Sequence, residues 1–164
     1  TTTSTYVYWT DVAAGTVSRR RVDLSAATET LASGQNKPNA GIAVDGAAVY
    51  WANDGDGSIK RYVFATAAIQ PLASGQPSLG GQQMTLSNGF VYWCSATAQQ
   101  INRVPVTGTG AQLLISVQQP MGIAADAVNI YWTDAGIAQM GEKPIAGGST
   151  QTLYGLTAPG ALAD

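Results

Sequence analysis

Carboxylates and side-chain amides are the groups in this sequence best placed to do chemistry. The densest acidic cluster is Asn53-Asp54-Gly55-Asp56-Gly57, where carboxylates two positions apart could chelate calcium if the loop wrapped an ion. It fails the EF-hand pattern. The sixth position from Asp54 is Ile59 where that loop needs Gly, and the twelfth is Ala65 where it needs Glu, so a Gly-rich hairpin turn accounts for the cluster better. Gln35, Asn36, Gln76, Gln118 and Gln119 form a second, uncharged set, in loops that also carry Ser, Gly or Pro. Amides both donate and accept, which suits peptide backbone or sugar hydroxyls. With no histidine and one cysteine, Cys94, the chain lacks Ser-His-Asp and Cys-His systems and the usual zinc ligand sets. It contains no HExxH, phosphate-loop or dinucleotide fingerprint. Two acids would suffice for glycoside hydrolysis, but no spacing singles out a pair. The expectation is therefore no catalytic residue, no metal and no cofactor, with Gln35, Asn36, Gln76, Gln118, Gln119, Asp54 and Asp56 as candidate ligand contacts.

What must position these residues is a repeat. The same strand recurs as Val7-Tyr8-Trp9-Thr10-Asp11, Val49-Tyr50-Trp51-Ala52-Asn53, Val91-Tyr92-Trp93-Cys94-Ser95 and Ile130-Tyr131-Trp132-Thr133-Asp134, and it holds every Trp of the chain. The tyrosines follow one another at 42, 42 and 39 residues, close to the ~40 to 45 residues of a four-stranded propeller blade. Before the aromatic strand comes a small-residue strand, as in Gly41-Ile42-Ala43-Val44-Asp45, Met84-Thr85-Leu86-Ser87 and Gly122-Ile123-Ala124-Ala125-Asp126. After it comes an alternating strand opening at Val17, Ile59, Ile101 or Met140, then a short fourth run such as Glu29-Thr30-Leu31-Ala32 or Gln112-Leu113-Leu114-Ile115.

Four strands per repeat, A to D, predict an all-β β-propeller of four four-stranded blades, with repeats beginning near residues 6, 41, 83 and 122. The chain opens on a B strand and ends on Gly160-Ala161-Leu162-Ala163-Asp164, a copy of strand A. This C-terminal strand is expected to complete and close the first blade, making residues 1–164 one domain and removing exposed sheet edges. Strand A is narrow, while Tyr8, Trp9, Tyr50, Trp51, Tyr92, Trp93, Tyr131 and Trp132 fill the wedges between blades.

Within that frame Asp11, Asn53, Ser95 and Asp134 end strand B, and Asp45, Asp126 and Asp164 end strand A. A polar ring or cation site is one reading; turn-forming side chains bonding local amides is the preferred one. The amide-bearing loops from strand D to the next strand A converge with the B–C turns on one face, where they either bind a ligand or simply make soluble turns.

Eight basic against ten acidic residues leave no footprint for nucleic acid or anionic lipid. No run approaches the ~20 apolar residues of a membrane helix, so no membrane insertion is expected. The start at Thr1 suggests a processed or trimmed chain.

The Tyr-Trp-Thr-Asp quartets at Tyr8 to Asp11 and Tyr131 to Asp134 resemble the YWTD repeat of low-density-lipoprotein-receptor-like propellers, and Gly41 to Asp45 is similar to repeats of bacterial NHL-type and streptogramin-lyase-like propellers. The first resemblance implies an extracellular, periplasmic or cell-envelope interaction domain whose partner is a protein or peptide on one face. Receptor propellers usually have six blades and flanking cysteine-rich modules, from which this chain departs. Carbohydrate binding between blades, lectin-like, is the alternative; a lyase or hydrolase with a metal held by strand-A aspartates is a third. A monomer is expected, with dimerisation into eight blades as the other assembly.

Overall fold

The computed structural model describes residues 5–77, 79 and 83–155. Alternating apolar and polar residues punctuated by Gly, Asn and Asp turns give strands and turns, without a helix among the described residues. Blade 1 comprises β1 (Tyr6–Asp11), β2 (Thr16–Arg21) and β3 (Glu29–Ala32). Blade 2 comprises β4 (Ile42–Val44), β5 (Ala48–Asn53), β6 (Ser58–Val63) and β7 (Ala68–Ala73). Blade 3 holds β8 (Met84–Ser87), β9 (Phe90–Ser95), β10 (Gln100–Pro105) and β11 (Gln112–Ser116). Blade 4 holds β12 (Pro120–Ala125), β13 (Asn129–Asp134), β14 (Gln139–Pro144) and β15 (Gln151–Gly155).

Each blade is an antiparallel meander in sequence order. The C and D strands slip register at the same place in all four, between Val17 and Ser18, Ile59 and Lys60, Ile101 and Asn102, and Met140 and Gly141. Such bulges increase local twist, which splays the rim of the blade. Blade 1 has three strands among the described residues; its expected fourth, 160–164, lies outside them.

The period of two along strand B sends alternate residues to opposite faces. Trp51 and Val49 pack with Val17, Leu31 and Ala32 of blade 1, whereas Tyr50 and Ala52 pack with Val91 and Trp93 of blade 3. Tyr92 and Cys94 in turn meet Ile130 and Trp132. Tryptophan thus faces the preceding blade and tyrosine the following one, giving three apolar seams. No comparable packing joins blade 4 to blade 1 among the described residues.

The A–B hairpins explain the strand-end aspartates. Asp45 Oδ1 accepts from the backbone N–H of Ala47 and Ala48, at 2.8 Å each, while its Oδ2 accepts from Tyr50 Oη at 3.0 Å. Asp126 repeats the arrangement with Val128 N, Asn129 N and, at 2.9 Å, Tyr131 Oη. Two amides and a phenol hold the Asp126 carboxyl below its ordinary value of 3.8, the amide of Asn129 contributing most. Burial, reinforced by Asp45, pushes the Tyr50 phenol up to about 12. In blade 3, Ser87 replaces the aspartate, and Tyr92 Oη is buried with no hydrogen-bond partner among the described residues.

Candidate functional site

The D–A loops and B–C turns meet because short backbone bonds tie them together. Gln35 N donates to Gly15 O, Gln76 N to Gly57 O and Val117 N to Gln99 O, all at 2.9 Å, so each loop is fixed to the turn of its own blade. The loops also hold the next blade's turn: Gly55 N donates to Asn36 O at 3.0 Å and Ala135 N to Gln119 O at 2.8 Å. These turns close with a left-handed residue, which Gly15 and Gly57 adopt without a Cβ penalty. Gln99 and Ala138 adopt it in blades 3 and 4, at φ 57° and 50°.

The candidate amides share this face but not one role. Gln35 turns inward. Its Oε1 accepts from Trp51 Nε1 and Asn53 Nδ2 at 3.1 Å and from Lys60 Nζ at 3.3 Å, and its Nε2 donates to Ser33 O at 2.8 Å. It plugs the seam between blades 1 and 2. Asn36 is exposed, its side chain lying against the bare Cα of Gly55. Gln76 donates to Ser74 O at 3.1 Å and lines a cavity of about 350 Å³ at the next seam. Near it Trp93 Nε1 and Asn102 Nδ2 are buried donors with no partner among the described residues.

Gln118 and Gln119 are exposed. The Asp134 carboxylate orders their backbone, accepting from Gln118 N and Gln119 N at 2.8 Å and from Gly136 N at 2.9 Å. Their side-chain amides bond to nothing among the described residues. Asp134 therefore spans two loops, more than the local turn bond expected of it; Asp11 keeps to the local form, accepting from Ala14 N at 2.9 Å. Asp56 likewise caps its own turn, its Oδ1 accepting from Ser58 N at 3.0 Å and Ser58 Oγ at 2.6 Å. Asp54 is half-buried and its N–H donates to Lys37 O at 2.9 Å. Among the described residues no three His, Cys, Asp or Glu side chains are grouped to hold a metal.

Two depressions adjoin Gln118. One, about 440 Å³, lies in the seam between blades 3 and 4 and is lined by Ile115, Gln118, Trp132, Ile137, Gln139 and Thr152 among others. The second, about 400 Å³, is lined by Ala96, Thr97, Gln99, Gln118, Gln119 and Gly136. The first exists because Trp132 pairs across the strands with Gly141, where Ser18, Lys60 and Asn102 stand in the other blades. A Cβ on Gly141 would lie 2.4 Å from Trp132 Cζ2, so the indole rests on bare backbone at this point of the seam. Gln139, Thr152 and Gly141 were not among the residues expected from sequence. The signal for them is the glycine that breaks the pattern Ser18, Lys60, Asn102.

No protein-family model and no curated protein matches the sequence. Solved structures do. A chain of the nidogen/laminin complex superposes with TM-score 0.74 at 16% identity over 96% of this chain and 63% of that one. The fold is a β-propeller. Virginiamycin B lyase from Staphylococcus aureus, solved with quinupristin as a catalytically inactive histidine-to-alanine variant, gives 0.69 at 15% over 95% of this chain and 55% of that one. The computationally designed Ika8 protein gives 0.76 at 17% over 100% of this chain and 51% of that one. Both kinds of propeller that the repeats resemble are thus structural neighbours, and this chain spans between half and two thirds of their length.

Proposed function

We propose that this chain is a non-catalytic interaction module of the cell exterior or envelope that binds a protein or peptide segment on its D–A loop face, chiefly at blades 3 and 4. The observation that carries this reading is the contrast between Gln35 and the pair Gln118 and Gln119. Gln35 is saturated by Trp51, Asn53 and Lys60, while the side-chain amides of Gln118 and Gln119 meet no partner among the described residues, on a backbone that Asp134 has already ordered. Free amides on a rigid loop, beside concave surface, meet an extended peptide backbone at low entropic cost. The laminin complex of nidogen supports the same role. The lyase neighbour is inactivated by replacing a histidine, a residue type that these 164 residues do not contain.

Selection of a random peptide display library against the protein tests the reading. The selected peptides should lose about tenfold or more in affinity with Gln118→Ala and Gln119→Ala combined, two lost hydrogen bonds of about 1 kcal/mol each. Unchanged affinity in that variant would rule this face out. A lectin reading has one observation of its own, the Trp132 indole lining a cavity with Gln139 and Thr152. Glycan-array signals abolished by Trp132→Phe, with no peptide selected, would put it first.

A further inference from the structure

We propose that the seam between blades 3 and 4 is a recognition pocket for a side-chain carboxamide, that of a glutamine or asparagine in a bound peptide. This deepens the reading of the D–A loop face as a peptide site and rests on it. The molecule carries its own template in the seam between blades 1 and 2, where the carboxamide of Gln35 is the plug. Its Oε1 accepts from Trp51 Nε1 and Asn53 Nδ2 at 3.1 Å and from Lys60 Nζ at 3.3 Å, and its Nε2 donates to Ser33 O at 2.8 Å.

Backbone bonds fix which residue takes that place in the seam between blades 3 and 4. Gln35 N donates to Gly15 O and Val117 N to Gln99 O, both at 2.9 Å, while Asp54 N donates to Lys37 O at 2.9 Å and Ala135 N to Gln119 O at 2.8 Å. Bracketed by these matching bonds, Val117 corresponds to Gln35 and Gln118 to Asn36. The side chains agree, since Asn36 lies against Gly55 as Gln118 lies against Gly136. Val117 thus stands where the plug would be. Across the strands, Trp51 pairs with Lys60 but Trp132 with Gly141, so the cation that reaches the plug is replaced as well. Val117, Gly141, Trp132 and Asp134 all line the cavity of about 440 Å³.

The polar groups of this cavity define what fits it. Trp132 is 4% exposed and has the indole N–H that Trp51 spends on Gln35, but its Nε1 has no hydrogen-bond partner among the described residues. Asp134, 1% exposed, takes the position of Asn53. Its Oδ1 accepts from Gln119 N and Gly136 N, whereas among the described residues its Oδ2 accepts from Gln118 N alone, which leaves a lone pair for a further donor. In blade 2 the ends of Trp51 and Asn53 converge on one oxygen, so the same two positions in blade 4 address one small group. An indole donor beside a carboxylate acceptor matches a carbonyl oxygen and an N–H on the same carbon. A ligand carboxylate would meet Asp134 as a like charge, and an ammonium would leave Trp132 Nε1 unsatisfied.

Proton–nitrogen correlation spectra of the ¹⁵N-labelled chain test this directly, because each indole N–H gives its own resonance. End-capped pentapeptides of glycine with one varied central residue share all their backbone amides and differ only in that side chain. With glutamine or asparagine at the centre, the Trp132 resonance should shift, with affinity about tenfold above that for glutamate, methionine or lysine. Val117→Gln, at a half-buried loop position, should move the Trp132 resonance without any peptide and weaken the glutamine peptide about tenfold, by installing the plug that Gln35 provides. A Trp132 resonance that stays in place at millimolar glutamine and asparagine peptide, moves as far with methionine or lysine, or answers only to N-acetylglucosamine would overturn the proposal. So would unchanged binding in Val117→Gln. Library-selected peptides that depend on Gln118 and Gln119 but leave the Trp132 resonance in place would overturn the carboxamide pocket alone, with the peptide reading of the face still standing.

Discussion

Tyr50, Tyr92 and Tyr131 occupy one position of the repeat, yet their hydroxyls differ in what they meet. Tyr50 Oη donates to Asp45 and Tyr131 Oη to Asp126, at 3.0 and 2.9 Å, while Tyr92 Oη is enclosed with no hydrogen-bond partner among the described residues. Removing a satisfied phenol costs a bond and strands its acceptor, whereas removing an unsatisfied one relieves a desolvation penalty. Tyr50→Phe is expected to lower unfolding free energy by about 1–2 kcal/mol, and Tyr92→Phe to leave it unchanged or raise it by up to about 1 kcal/mol, as urea denaturation would show. Asp126 gives this hairpin a pH dependence. Its folded pKa lies below the ordinary 3.8, so its stabilising bonds are complete above that value and are lost as pH falls below it. Denaturation midpoints should be flat from neutral pH to about 5, fall in more acidic solution, and fall less steeply in Asp126→Asn. The Cys94 thiol, pushed up to about 12 by burial and secondarily by Asp134, should resist thiol reagents until the chain unfolds.

Between one blade and the next, the turns and seams vary more than the strands. The left-handed residue closing the B–C turn is Gly15 or Gly57 in the first two blades but Gln99 and Ala138 in the last two. A Cβ in that conformation is strained, so Ala138→Gly should stabilise blade 4 by roughly 0.5–1 kcal/mol in chemical denaturation. Gly141→Ala should do the opposite, because the added carbon would enter the Trp132 ring. A loss of about 1–3 kcal/mol is expected, with a shift in tryptophan emission as the indole moves into the seam. The strands themselves were legible in the sequence, since Tyr-Trp alternation fixes both period and face, and the observed boundaries differ from the expected ones by only a residue or two, as in Pro120–Ala125 for the run read from Gly122. Loop amides were not legible. Whether Gln35 or Gln118 turns inward depends on residues far along the chain, Trp51, Asn53 and Lys60 for the one and Gly141 and Asp134 for the other. A local pattern carries no record of them.

For the molecule as a whole, repetition explains both what reading the sequence found and where it stopped. Copies of one unit announce the seam between neighbours, but they look the same whether the ends meet within one chain or across two. Tryptophan reports on the seams themselves, because Trp51, Trp93 and Trp132 are buried within them while Trp9 is half-buried. Acrylamide should therefore quench Trp9 first, and Trp9→Phe should remove the most readily quenched, red-edge part of the emission while leaving the signal of the three inner tryptophans in place. Equal quenching in the parent chain and in Trp9→Phe would mean that the indole of blade 1 is as enclosed as the other three.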